Sequence, residues 1–410
     1  MKKILILGAG TGGSIMANKL KKALDLKSWN ITVVDKEPTH YYQPGFLFIP
    51  FGIYTKSMVV KPKKKFIPSG VEFIISEIDR VEPEAKKVFL TNGKTLEYDY
   101  LIIATGTDVK PSETPGLLGR EWQKSIFDFY TFEGAVAFHD ALKNWKGGNL
   151  VINIAEMPLK CPVAPLEFAF LADAYFTKKG IRNKVNIYYT TPLSGAFTKP
   201  KATAMLSQLL SEKNINIVPD FYLERVDDEN KKIISYDGRE IEFDILATIP
   251  VNMGADYVAR SGMGDDLNFI PTDKFSLRSE KWDNIFVLGD ASNIPTSKAG
   301  SVVHFAADVV YENILSTING KPMEAKFDGH SNCFIETGFG KGSLIDFNYD
   351  TEPLPGTYPV PGIGPMKLLK NTRLNHFGKL MFRHIYWYIL IKGRHLPVSS
   401  AMSMSGKKVD

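Results

Sequence analysis

The strongest constraint on this chain lies in its first 35 residues. Ile4–Leu7 is a short, continuous apolar run, the pattern of a strand buried on both faces. It leads into Gly8-Ala9-Gly10-Thr11-Gly12-Gly13, and Ser14–Leu24 then reads as a helix. A second apolar strand, Ile31–Val34, ends at Asp35, roughly 20 residues beyond the last glycine. A lone Gly-x-Gly-x-x-Gly is weak evidence. With a strand before it, a helix after it and an acid at this distance, it specifies the βαβ unit of a dinucleotide-binding fold. Gly8, Gly10 and Gly13, with Thr11 among them, are then expected at a pyrophosphate. Asp35, followed by Lys36, is expected at an adenosine ribose.

Two distant segments look like parts of the same nucleotide site. Tyr98–Ala104 is a buried strand ending in Thr105-Gly106. Asn284–Leu288 runs into Gly289-Asp290, and a helix is expected over Ser301–Leu315, just after Gly300. A strand delivering Gly-Asp to a helix N-terminus suits a cofactor diphosphate or ribityl chain. Ala104-Thr105-Gly106 and Gly289-Asp290 have no task in an NAD-only domain, so the cofactor is read as FAD. The simplest organisation is a first domain interrupted by a second α/β unit that is its distant duplicate. The expected division is 1–114 and 281–330 for the FAD-binding domain, 115–280 for the second unit and 331–410 for a carboxy-terminal region. A chain of 410 residues accommodates this.

The second unit breaks the pattern. After the strand Leu150–Ile154 its turn reads Ala155-Glu156-Met157-Pro158-Leu159-Lys160-Cys161-Pro162. A nicotinamide dinucleotide needs glycines here so that backbone can approach a second pyrophosphate. Pro162 and Pro165 precede a helical stretch, Leu166–Tyr175, which places Cys161 near a helix N-terminus, where the dipole is expected to lower its thiol pKa. Cys161 and Cys333 read either as a redox pair or as two inert core thiols; two cysteines make no disulfide framework.

Fifty Lys and Arg against 45 acids are too balanced to suggest nucleic acid. No apolar stretch reaches the roughly 18 residues of a membrane span, no signal peptide is seen, and no metal-ligand spacing appears. Beyond residue 320 the character changes. Cys333–Tyr349 reads as a β-hairpin, and Glu352–Pro365, with five prolines, as an extended connection. Asn375–Arg394 is aromatic, basic and helical. Phe377, Leu380, Met381, His384/Ile385, Tyr388 and Ile391 fall on one face, with Trp387 as an interfacial aromatic. That face reads as an amphipathic helix lying on a lipid bilayer surface, or as a core or dimer helix. Lys61–Lys65 reads as a solvated loop.

The amino-terminal glycine turn, Tyr100–Gly106, Phe286–Asp290, Lys160-Cys161-Pro162 and Cys333 through Asp346–Tyr349 together resemble the sulfide:quinone oxidoreductases. These are two-dinucleotide-domain flavoproteins related to type II NADH dehydrogenases and to the flavoprotein subunit of flavocytochrome c sulfide dehydrogenase. The resemblance implies an α/β fold of the disulfide-oxidoreductase type, with two Rossmann-like domains and a carboxy-terminal amphipathic membrane-docking region. It implies FAD, hydrogen sulfide as donor and a membrane quinone as acceptor, a peripheral (monotopic) location, and is compatible with a homo-oligomer. Hydrosulfide would attack an oxidised Cys161–Cys333 bridge, and two electrons would pass to FAD as zero-valent sulfur or polysulfide forms. Many relatives carry a third cysteine that in some joins the flavin. Trp122–Phe132 has none, so the FAD is expected to be non-covalent.

Five further residues receive expected roles. Glu167 and His304 are candidate proton handlers, although Glu167 could equally be a dipole partner and His304 a satisfied core residue. Lys341 would stabilise negative charge on the reduced cofactor or the quinone, or is a solvated lysine. Phe347 and Tyr349 would sandwich the quinone ring between the hairpin and the carboxy-terminal helix. Deleting 375–410 is expected to release the protein from membranes while sparing the flavin chemistry. A sulfide dehydrogenase subunit passing electrons to a cytochrome, and a type II NADH dehydrogenase, are the alternatives; the missing leader and the second turn oppose them.

Overall fold

The computed structural model describes residues 1–396 and 398–408. Residues 2–7 form the central strand of a five-stranded parallel sheet. Its order is Ile285–Val287, Tyr100–Ile103, Lys2–Leu7, Trp29–Asp35, Glu72–Ile75. Because strand side chains alternate, Ile4 and Ile6 enter the core on one face while Leu5 and Leu7 enter a second cluster on the other. Both faces are covered from Ile4 to Leu7, which is why the strand has no polar position beyond its two exposed opening lysines, Lys2 and Lys3.

A second sheet repeats this arrangement. Its order is Ile126–Phe127, Ile245–Ile249, Gly148–Ile154, Val185–Thr190, Ile215–Val218, again all parallel. Each sheet inserts a three-stranded antiparallel meander: residues 78–97 before Tyr100–Ile103 in the first and 223–242 before Ile245–Ile249 in the second. Asp108–Lys110 pairs with Val251–Met253 where the chain leaves one sheet's surroundings and returns. From Tyr257 and Val258 onward the chain packs with the first sheet.

The expected hairpin is Ser331–Gly338 with Lys341–Phe347. It packs between the helix Ala164–Lys178 and the helix Arg373–Tyr388. The extended connection expected over 352–365 instead contributes to a second hairpin, Gly356–Val360 with Gly364–Leu368. Its prolines are accommodated because this hairpin forms a two-stranded sheet of its own, where each strand has a free edge. Among the described residues no helix is long and apolar enough to cross a membrane.

Thr372 caps the last helix, its hydroxyl accepting from the Asn375 amide. The helix does not present the whole expected face to solvent. Leu374, Phe377, Met381 and Tyr388 are exposed, but Ile391 is fully buried. Trp387, expected at an interface, is a core residue. It stacks on Phe66 with centroids 5.2 Å apart and donates its indole N–H to Met58 O at 3.1 Å.

Candidate active site

The two halves of the first sheet's topology converge on one large cleft with about 1540 Å³ of empty space. Its walls hold Gly8, Gly10 and Thr11 from the first turn, Asp35 and Lys36 from the second strand's end, Ala104, Thr105 and Gly106 from the third segment, and Gly289, Asp290 and Gly300 from the last. Segments nearly 300 residues apart in sequence therefore meet because their strands are neighbours in the sheet.

Local packing explains the glycines. A Cβ on Gly13 would stand 1.8 Å from Gly8 O, so Gly13 lets the helix Thr11–Ala23 close onto the strand. Gly13 shapes the turn without lining the cleft. A Cβ on Gly10 would meet no protein atom within 4 Å; that space belongs to the cleft. The helix starts there with no side-chain cap, leaving amide donors for an anion. Asp35 is buried, with Oδ2 accepting from the Ala9 amide at 2.6 Å. Lys63 Nζ, 2.5 Å from Asp35 Oδ1, balances its charge. Lys63 belongs to the supposedly solvated Lys61–Lys65 stretch; it is buried and lines the cleft, a role no local pattern in the sequence signals. These residues fit a dinucleotide diphosphate and ribose.

The same cleft reaches Cys161 and Glu167. Cys161 has φ +50°, and its amide donates to Lys298 O at 2.6 Å while Tyr130 OH donates to its carbonyl at 3.1 Å. Neighbouring turn amides are likewise spent inside the protein: Ala155 N–H on Ile249 O and Lys160 N–H on Asn252 Oδ1. Leu159 is buried. This turn offers a thiol and an apolar plug where a phosphate cradle would need free amides. Lys298, which the sequence reading missed, floors the site; its Nζ bonds the carbonyls of Asp290 and Ser292, and burial lowers its pKa to about 8 despite Asp290.

Cys333 lies on the strand Ser331–Gly338, buried and within electrostatic reach of Cys161. Both cysteines are free thiols. The expectation of a lowered Cys161 pKa is corrected. Burial, reinforced by the Glu167 carboxylate, pushes it up to about 12, outweighing the helix terminus. Burial and the Cys161 charge also push Cys333 up to about 12.

Glu167 is fully buried on the first turn of its helix. Its Oε1 accepts from Lys379 Nζ and from the Glu336 amide, each at 2.6 Å, and its Oε2 has no protein partner. Lys379, Phe382 and Tyr386 extend from the carboxy-terminal helix into the cleft. Sequence periodicity treated that helix as a surface element, so these inward residues were missed.

Four other expected residues lie elsewhere. His304 is buried on the helix Gly300–Ile318 outside the cleft lining, in the field of Asp308, Lys19, His395 and His330; burial lowers its pKa. Lys341 is exposed at the hairpin tip, beside Gly338, which packs on Phe170 O. Phe347 and Tyr349 line a separate cleft with Met157, Leu159 and Lys199, away from the carboxy-terminal helix. Lys199 Nζ sits 5.4 Å from the Phe347 ring, and Tyr349 OH donates to Lys274 O. Phe347 closes the strand Lys341–Phe347, paired with Ser331, and Tyr349 follows it, so both lie at the end of the hairpin opposite the Lys341 tip.

Comparison with known proteins accords with this geometry. The chain is 28% identical over 400 residues to the Dictyostelium discoideum protein named sulfide:quinone oxidoreductase, mitochondrial, covering 96% of this chain and 86% of that one. The Mus musculus protein of the same name is 27% identical over 400 residues, covering 95% and 86%. The X-ray structure of the Aquifex aeolicus sulfide:quinone oxidoreductase superposes with a TM-score of 0.81 at 21% identity, over 96% of this chain and 92% of that one. The profile of the pyridine nucleotide-disulphide oxidoreductases matches residues 2–308, and the chain belongs to that family.

Proposed function

We propose that this enzyme oxidises hydrogen sulfide to zero-valent sulfur or polysulfide with FAD as its cofactor, and passes the electrons to a quinone. The observation that carries this reading is the position of Cys161. It stands in the dinucleotide cleft, on a turn that spends the amides of Ala155, Lys160 and Cys161 itself within the protein. Names shared by relatives aligned over nearly the whole chain support the same donor and acceptor.

Bound in the cleft, FAD would be held by the turn at Gly8–Gly13, by Asp35 with Lys36 and Lys63, and by the Gly289-Asp290 segment; it supplies a two-electron store. The protein's own part is distinct. In the oxidised protein hydrosulfide would break a Cys161–Cys333 disulfide, leaving the sulfur as a persulfide on one cysteine and the other as a thiolate. The disulfide closes again as zero-valent sulfur leaves, and the two electrons released are those that FAD would store. Glu167, which lines the cleft and has one buried oxygen without a partner, holds or gives a proton. Phe46, Leu47 and Phe382 form an apolar part of the cleft wall and are proposed as the quinone's approach, in place of Phe347 and Tyr349. The exposed Leu374, Phe377, Met381 and Tyr388, with exposed Lys367, Lys370 and Arg373 nearby, are proposed to rest on a lipid surface. We place the second unit at about 115–253, with the first resuming where Tyr257 and Val258 pack on its sheet.

The test is an anaerobic titration of the FAD-loaded protein, first with sulfide and then with NADH, following the flavin absorbance. Sulfide is expected to bleach the band rapidly and NADH to leave it standing. Rapid bleaching by micromolar NADH would assign the donor to a nicotinamide and overturn the reading.

A further inference from the structure

Glu167 is the inner end of a longer series of charged groups. Lys379 Nζ bonds Glu167 Oε1 and also Phe334 O, the latter at 3.0 Å. Two residues along the same strand, Glu336 has 1% of its side chain exposed, and its Oε2 stands 2.7 Å from His376 Nδ1. His376 lies three residues before Lys379, so both occupy one side of the helix Arg373–Tyr388. Its side chain is 28% exposed. One buried lysine is thus set among two buried carboxylates, the inner one at the cleft and the outer one bonded to a histidine that reaches water. An ion-pair network serving stability alone would need neither the unpartnered Glu167 Oε2 nor a titratable group at the outer end.

We infer that Glu336 and His376 form the proton inlet for quinone reduction, feeding Glu167 through the Lys379 ammonium. The inference rests on the proposed acceptor. Reducing a quinone to the hydroquinone takes two electrons and two protons. Oxidation of HS⁻ to zero-valent sulfur yields both electrons and one proton, so one proton must come from water. Glu167 gives a proton to a quinone oxygen and becomes a carboxylate. Lys379 returns a proton to it and is reprotonated by the Glu336 carboxyl, which His376 recharges from solvent. The groups facing this inlet are Lys379 and Arg383 from the same helix, Glu167 from the helix Ala164–Lys178, Tyr54, and the thiols of Cys161 and Cys333. Burial raises the pKa of both carboxyls. At Lys379 burial is outweighed by Glu167 and its neighbours, which hold the pKa up, so the lysine passes a proton inward only as it receives one from Glu336.

The test separates the half-reactions in the FAD-loaded protein by anaerobic stopped flow. One arm follows bleaching by sulfide. The other follows reoxidation of dithionite-reduced protein by a short-tailed benzoquinone, with an indicator dye reporting proton uptake. In His376→Gln and Glu336→Gln, reoxidation is expected to slow about tenfold or more, most strongly at alkaline pH, with proton uptake slowed in step. Sulfide bleaching should stay within about twofold of the parent, and added imidazole should restore the His376→Gln protein. Reoxidation at the parent rate, or slowed equally at every pH without imidazole rescue, would make the pair structural and overturn the inference. Failure of sulfide to bleach the parent would count against the donor assignment alone, because the quinone arm starts from chemically reduced protein.

Discussion

The Tyr386 hydroxyl stands 2.8 Å from Thr11 Oγ1 and 2.6 Å from His40 Nε2, so the carboxy-terminal helix is bonded to the first turn of the dinucleotide-binding helix. Burial and the Lys63 charge lower the His40 pKa to about 3, so its ring is neutral. Its Nδ1–H donates to Ala9 O, which leaves Nε2 to accept from Tyr386 OH and the tyrosine oxygen to accept from Thr11. Tyr386→Phe strips this chain of its centre and leaves buried polar atoms unpaired, at a cost of about 1–3 kcal/mol. We expect a lower melting temperature and faster loss of FAD on dilution. Unchanged values for both would show that the hydroxyl carries no weight.

The same bond corrects the expected result of deleting residues 375–410. That deletion removes Lys379 and Tyr386 from the cleft and Trp387 from the core. We expect no stable FAD-loaded protein rather than one that still reacts with sulfide. Recovery of a flavin-bearing truncated protein by gel filtration would contradict this.

The cleft was legible wherever a backbone requirement is local. Gly8, Gly10, Asp35 and Gly289 each stand in a short strand–turn context with one conformational solution, and they meet as expected. Lys63 and Lys379 were not legible, because each acquires its role from a partner far along the chain, and Lys298 was not because it bonds main-chain carbonyls of Asp290 and Ser292, which no side-chain pattern signals. Nor was the true inner face of the last helix. Phe377 and Met381 stand at the spacing that buried residues would also take, and the contacts that set the inside, Trp387 on Phe66, Tyr386 on His40 and Lys379 on Glu167, are all made with distant segments.

For the thiols, Cys161→Ser and Cys333→Ser should each abolish sulfide-dependent quinone reduction, with the double variant no worse than either. Steady-state assays at saturating sulfide measure this. Near-parent turnover in one single variant would return that cysteine to the core.

The raised thiol pKa values have a consequence of their own. With Cys161 and Cys333 pushed up to about 12, first by burial, both remain protonated near neutrality in the reduced protein. Alkylation by iodoacetamide should be slow at pH 8 and should still be accelerating above pH 10. Glu167→Gln removes the carboxylate that adds to the shift, so Cys161 should react faster at pH 8. Rapid alkylation of the parent at pH 7 would refute the buried-thiol picture.

Asp346 makes a pH prediction for stability. It bonds His330 Nε2 at 2.8 Å and Lys407 Nζ at 2.5 Å, all three side chains being almost wholly buried. Burial opposes its charge, but His330 and Lys407 outweigh that and lower its pKa. A folded-state pKa below the unfolded value of about 3.9 adds stability that is complete above that pH and lost as pH falls through the folded value. Asp346→Asn leaves Lys407 buried without its anion and should cost roughly 3–5 kcal/mol near neutrality. Thermal unfolding of parent and variant should differ most above pH 5 and converge at more acidic pH. A constant difference down to pH 2 would refute the assignment.

The exposed face can be tested without breaking the fold. Phe377 is 59% exposed and Met381 39%, and neither lines the cleft, whereas Lys379 and Phe382 beside them do. Phe377→Ser with Met381→Ser should therefore leave FAD content, melting temperature and sulfide bleaching near parental values. Binding to vesicles containing anionic lipid should weaken, because each large apolar side chain withdrawn from an interface forfeits roughly 1.5–3 kcal/mol at full burial. Reduction of long-tailed quinones in vesicles should fall with it, while a short-tailed quinone in solution is reduced at the parent rate. Co-sedimentation with vesicles reads the first effect, and the ratio of the two quinone activities the second. If the double variant co-sediments like the parent and becomes monomeric where the parent is a dimer, the face is an interface between copies of this chain, and lipid contact lies elsewhere.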